Sequence, residues 1–197
     1  VNLSPLHFKH QNLVEQVKST LHRAAVDARR IELEITESMA MENGDDTKQI
    51  LDQLKDIGVS LAIDDFGTGF SSLNRLKQFP VDRLKIDQSF VRDITTDWND
   101  AAISSAIIRL GHSLNIRVIA EGVETQEQVD FLIAQSCAEA QGYFFSRPLS
   151  ADDFTDFVRS YSAQASDGTV VAGEPSNTGK NPRAPGRKAG ASKKAHG

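Results

Sequence analysis

Polar residues stand at the carboxyl end of one apolar or β-branched run after another: Asn2, Glu34, Asp64 followed by Asp65, Lys85, Glu121 and Gln141. All offer oxygen except the Lys85 amine. If those runs are strands that open on one mouth, their carboxylates repel one another unless cations share the space. Oxygen-only ligand sets select hard ions such as Mg²⁺ or Mn²⁺ over zinc. The chemistry expected is therefore a two-metal hydrolytic centre. Taken singly, each acid reads equally well as a solvated strand end, and Lys85 as a side chain that snorkels outward or pairs with Asp87. Their recurrence is what marks a site.

The run Asp64-Asp65-Phe66-Gly67-Thr68-Gly69-Phe70 says more than any single acid. Neighbours in a regular strand point to opposite faces, so both carboxylates reach one site only if the backbone bends there. Gly67 and Gly69 let the loop beyond the bend fold over the mouth. Glu32 shares a face with Glu34 one pleat deeper and is read as a barrel-layer or loop-bonded residue, not a ligand. His7 and His10 lack a third nearby ligand and read as part of a solvated helix.

The elements that must position these groups follow from periodicity. Strands are expected at the chain start, at 31–35, 59–64, 83–87, 117–121 and 140–144. Amphipathic segments separate them, among them 45–57, closed by Gly58, then 99–114, 125–135 capped by Thr125, and 151–161. Strands alternating with helices demand parallel strands and crossover connections. A doubly wound sheet usually marks its ligand site with glycines after the first strand. Here polar residues end every strand, as the shared mouth of a barrel requires. The fold expected is α/β, a TIM-like (β/α)8 barrel of which about six strands are present.

Composition bounds the class. With 39% hydrophobic and 25% charged residues the chain can bury a core. No unbroken apolar stretch exceeds Phe131-Leu132-Ile133-Ala134, far short of the roughly 20 residues that cross a bilayer. The single cysteine, Cys137, excludes an internal disulfide framework and a thiolate zinc cluster. It suits a reducing, cytoplasmic compartment, with room for a membrane anchor elsewhere in a longer protein. Residues 163–197 hold six Lys/Arg and two Asp/Glu, which leaves a body of net charge −9 and a tail of +4. An acidic body argues against a phosphate-backbone groove, and no DNA partner is expected. The tail, rich in glycine and proline, is expected to be disordered, which divides the chain into a domain at 1–162 and a basic tail at 163–197. Val1-Asn2-Leu3 reads as the end of a strand and Ser4-Pro5 as a helix start, so the chain is expected to begin inside a domain.

Together these residues resemble a known family, the EAL-domain phosphodiesterases that hydrolyse cyclic dimeric GMP in bacteria. The resemblance rests on Val1-Asn2-Leu3-Ser4, Glu34-Ile35-Thr36-Glu37, Asp64 through Gly69, Leu84-Lys85-Ile86-Asp87, Ala120-Glu121-Gly122-Val123-Glu124 and Gln141-Gly142-Tyr143. It implies that Asn2, Glu34 and Asp64 bind the first metal and that Asp65 helps with the second. It implies that Lys85 positions the attacking water or the phosphate and that Glu121 is the general base. By the same likeness Glu124 and Gln141 complete the wall, while Glu37 anchors the loop that contains Gly67, Thr68 and Gly69. The implied reaction is hydrolysis of cyclic di-GMP to linear pGpG with Mg²⁺ or Mn²⁺. The implied partners are that dinucleotide, an upstream sensor or GGDEF-type domain, and a possible second copy of the chain.

Two departures qualify the likeness. The Glu-Ala-Leu signature and the family's two opening strands would lie before Val1, so the segment alone is expected to be inactive. Ala138 stands where many members carry an acid. Two other functions compete. A degenerate dinucleotide receptor or interaction module would have lost Glu121, Asp64 or Lys85, and all three are present. A barrel enzyme that abstracts protons beside a carboxylate leaves Asp64-Asp65 and its glycine loop unexplained.

Overall fold

The structure, a computed structural model, describes residues 1–9, 12–41, 44–69 and 73–165. His10 of the histidine pair, Phe70 and the tail from 166 onward lie outside the described residues. Short helices α1 (Pro5–Lys9) and α2 (Leu13–Ala24) precede β1 (Glu32–Thr36). There follow α3 (Glu37–Met41), α4 (Gly44–Ile57), β2 (Ser60–Phe66), α5 (Leu73–Leu76), β3 (Arg83–Ile86) and α6 (Gln88–Arg92). The chain continues through α7 (Trp98–Leu114), β4 (Arg117–Glu121), α8 (Gln126–Ala134), β5 (Glu139–Gln141) and α9 (Ala151–Ala165).

The five strands form one parallel sheet in the order β1-β2-β3-β4-β5. Strand order never reverses, so every crossover steps the same way, as in a barrel and unlike a doubly wound sheet. The strand expected at the chain start is reduced to one parallel bridge, Asn2 to Glu34. Leu3 N donates to Glu34 O at 2.8 Å and Glu34 N to Val1 O at 2.9 Å, and Pro5 starts a helix before the ladder can lengthen. The last helix, expected over 151–161, runs to Ala165.

Alternation sorts the strand side chains. Leu33, Ile35, Leu61, Ile63, Leu84, Ile86 and Val118 belong to one buried apolar cluster with Leu51 and Leu54 of α4 and Ile107 and Ile108 of α7. The opposite face carries ions. Arg83, on the central strand, bonds to Glu32 on β1 and, at 2.8 Å, to Glu139 on β5. One side chain reaches strands two places away on both sides only if this face is concave, so the sheet is an arc of barrel wall. Glu32 is thus tied to Arg83, one pleat below Glu34.

Local signals place the ends of the elements. Gly58, at φ +102, stops α4, and its N–H bonds to Lys55 O at 2.8 Å. Asp97 caps α7 by accepting from Asn99 N at 2.7 Å. Thr125 and Gln128 form a reciprocal capping box on α8. At the amino ends of the strands, the Lys55 ammonium donates to both Asp82 oxygens, at 2.9 and 2.8 Å, and to Val59 O. Asp82 Oδ2 in turn accepts from Leu61 N. This clip joins α4, β2 and the segment before β3 at the face opposite the mouth.

α7 lies very close to β4. A Cβ built on Gly111 would stand 2.2 Å from Val118 Cγ2 and 2.9 Å from Ile116 O. Helix propensity alone favours alanine there by about 1 kcal/mol, but overpacking costs about 1–3 kcal/mol. Gly111→Ala is therefore expected to lower the denaturation midpoint in urea; a midpoint at or above that of the parent chain would refute the packing argument.

Candidate active site

Four strands each deliver one side chain to a common point at the carboxyl end of the sheet. Lys85 Nζ on β3 lies 3.2 Å from Glu34 Oε1 on β1, 3.0 Å from Asp64 Oδ1 on β2 and 2.8 Å from Glu121 Oε1 on β4. Lys85 therefore neither snorkels nor pairs with Asp87. With only 6% of its surface exposed, it needs these partners to remain charged. Burial pulls its ammonium down, but hydrogen bonds to Glu121 and Asp64 outweigh that and hold it above the ordinary lysine range. Glu121 is pushed upward, first by burial and then by the Asp64 and Glu34 charges, against the opposing pull of Lys85.

The bend that the double acid required is present. Asp65 sits at φ 54, and the β2–β3 register shifts between Ile63 and Phe66. A non-glycine residue at positive φ is strained, and the surrounding structure must enforce it. The bend leaves Asp64 on Lys85 and turns Asp65 toward Asp87. The Asp65 carboxyl is raised by burial first, then by the charges of Asp64 and Asp87 and by its hydrogen bond with Asp87. Asp87 also caps α6, accepting from Ser89 N at 2.9 Å. Its place in the site was missed in the sequence, although it lies two residues past Lys85 and so on the same side of an extended chain.

Glu37 opens α3 and is buried. Its Oε2 accepts from Gly67 N at 2.9 Å and Gly69 N at 3.3 Å, which ties the described part of the glycine loop to the end of β1. A Cβ on Gly69 would stand 3.0 Å from Glu37 Oε1, and Gly67 holds φ +102, so both glycines are needed. The Thr68 hydroxyl closes the turn on Asp65 O at 2.8 Å. Around the rim lie three exposed groups: Asn2, bridged to Glu34; Gln141, in register with Glu121; and Glu124, on the loop after β4.

Among the described residues the acids do not form a ready cage for a metal; they close on the ammonium instead. The donor set nevertheless fits a hard divalent cation. Three carboxylates share one positive charge, and the charges of Asp64 and Asp87 raise Asp65 further, which Lys85 only partly offsets.

The family model of the EAL domain matches residues 1–148. MucR of Pseudomonas aeruginosa, described as a bifunctional diguanylate cyclase and cyclic di-GMP phosphodiesterase, is 47% identical over 152 residues, covering 77% of this chain and 22% of that protein. The oxygen sensor protein DosP of Escherichia coli is 46% identical over 160 residues, covering 81% of this chain and 20% of DosP. This chain therefore spans about a fifth of the length of these curated relatives. The solved MucR phosphodiesterase in complex with c-di-GMP superposes with a TM-score of 0.76 at 46% identity, over 78% of this chain and 62% of that one. BlrP1 of Klebsiella pneumoniae, solved with manganese and cyclic di-GMP, superposes with a TM-score of 0.69 at 36% identity, over 75% and 38%. With this match over most of its length, and with the Lys85 cluster and the bent double acid at one mouth, the chain belongs to the EAL-domain family.

Proposed function

We infer that this domain hydrolyses one phosphodiester of cyclic di-GMP to give linear pGpG. The observation that carries the reading is the convergence of Glu34, Asp64, Lys85 and Glu121 on one point, beside Asp65 and Asp87, in a chain similar to the phosphodiesterase MucR. Asn2, Glu34, Asp64 and Asp65 would hold the divalent cations, Mg²⁺ or Mn²⁺, and Asp87 stands beside Asp65 as a further oxygen donor. When bound, the cations polarise the phosphoryl oxygens and acidify a water molecule.

The chain's own groups do the rest. Glu121 takes the proton of the attacking water, and its burial brings a carboxyl group nearer the working pH of a base. Lys85, charged throughout the neutral range, stabilises the negative charge that builds on phosphorus as the bond to the leaving ribose oxygen breaks. Glu37 holds Gly67, Thr68 and Gly69 over the mouth, and Glu124 and Gln141 line its wall. A reducing cytoplasmic setting suits the free, half-buried Cys137. The names of MucR and DosP support a place downstream of a cyclase-type or sensor domain. Self-association through the segment after Asp87 would cover the exposed Trp98.

Glu121→Gln, made in a catalytically competent polypeptide containing this domain, is expected to reduce turnover by about 10²–10⁴ while dinucleotide affinity, read by calorimetry, stays within a few-fold. Asp64→Ala should also weaken Mn²⁺ binding. A chain that binds cyclic di-GMP tightly but never cleaves it under any divalent cation would establish the receptor reading instead.

β1 beyond its bridge and β5 lack a full outer partner among the described residues. The 197-residue chain alone should therefore turn over at least about a hundredfold more slowly than a polypeptide in which those edges are paired. Equal rates would overturn this.

The upward shift of Glu121 also fixes a sign for stability. A carboxyl raised in the folded state contributes stability below its unfolded value and loses it as pH rises through the folded value. Without metal, Glu121→Gln should thus melt higher than the parent at neutral pH, and the gain should vanish in mild acid. A gain independent of pH would contradict the burial argument.

A further inference from the structure

We propose that Gln128 is a positioning residue that locks the loop after β4 to α6, so that two neighbouring segments of the mouth move as one body. The proposal rests on the functional reading above only in its consequence for substrate. Its structural content is independent of that reading.

Gln128 lies in the first turn of α8 and is 4% exposed. Its Oε1 accepts from Glu124 N at 2.6 Å and Thr125 N at 3.0 Å, which uses both lone pairs. A capping box asks no more of this side chain. Here Nε2 also donates, at 3.0 Å, to Arg92 O in the last turn of α6, thirty-six positions away in the chain. α6 is capped by Asp87, whose charge raises Asp65.

A second contact joins the same two segments. Gly122, at φ +72, packs so close to α6 that an added Cβ would stand 2.7 Å from Gln88 Cβ. On the other side, Val123 N donates to Gln141 O at 3.0 Å, and Phe144 N donates to Val123 O at 2.9 Å. The loop from Glu121 to Glu124 is thus held by β5 on one flank and by both ends of α6 on the other. The amide of Gln128 provides the polar link at the far end.

Glutamate and glutamine serve a capping box equally well, and a helix N-terminus favours the charge. Only glutamine can donate to Arg92 O. Gln128→Glu keeps the cap and sets a carboxylate oxygen against the Arg92 carbonyl, whereas Thr125→Ala removes the cap and spares the link. In the 197-residue chain, amide hydrogen exchange should rise by about tenfold or more in Gln128→Glu, in both 122–125 and 88–94. In Thr125→Ala the increase should stay within the start of α8. If Gln128→Glu leaves α6 unchanged, the residue only caps and the proposal fails.

The second readout, in a catalytically competent polypeptide containing this domain, is cyclic di-GMP binding in the presence of Ca²⁺, followed by calorimetry. It should weaken by about tenfold in Gln128→Glu and by less than twofold in Thr125→Ala. Coupled exchange with undiminished binding would sink the proposed consequence for substrate. If that polypeptide, with Gln128 intact, binds no dinucleotide while the two segments still exchange together, it is the functional reading that fails and the lock stands.

Discussion

A single buried ammonium organises the working end of this domain. Lys85 is held by carboxylates from β1, β2 and β4, and its own strand lies between β2 and β4. No two of those acids would tolerate such proximity without it, and the ammonium would not tolerate such burial without them. The arrangement repeats one pleat lower, where Arg83 joins Glu32 of β1 to Glu139 of β5. Two cations on the same face of one strand thus fix the curvature of the wall from inside. The apolar cluster beneath α4 and α7 supplies cohesion, while the ionic layers dictate which strand faces which.

That design explains why the site leans toward added positive charge. The Lys85 cluster contains more acid than base, and the charge of Asp87 raises Asp65 further, with Lys85 as the weaker counterweight. The fold accepts strain at Asp65 to bring that second acid inward. Stability and chemistry pull against each other at these positions, the usual condition of a site whose charges await a ligand.

Much of this was legible in the sequence because it depends on local rules. Alternation in Ile31 to Ile35 names the inward acids, Gly58 and Thr125 mark helix ends, and the Asp64-Asp65 pair by itself demands the bend found at Asp65. What stayed hidden depends on curvature and on distance along the chain. Nothing in the sequence of β3 says that Arg83 reaches across two strands in each direction, or that three acids share Lys85. The short helix α6 follows β3 with only its cap between them, so Asp87, which periodicity assigns to the end of a strand, is a helix N-cap. Val1-Asn2-Leu3 has strand character yet makes only one bridge, because Pro5 already starts a helix.

The clip of Lys55, Asp82 and the Leu61 amide lies at the rim remote from Lys85. Fastening and chemistry are therefore spatially segregated along the strand axis. Insertions or exchanges in the loops after β2 and β4 can alter what is recognised without loosening the hub that aligns α4, β2 and β3. A scaffold partitioned in this way tolerates drift at one pole because its architecture is anchored at the other.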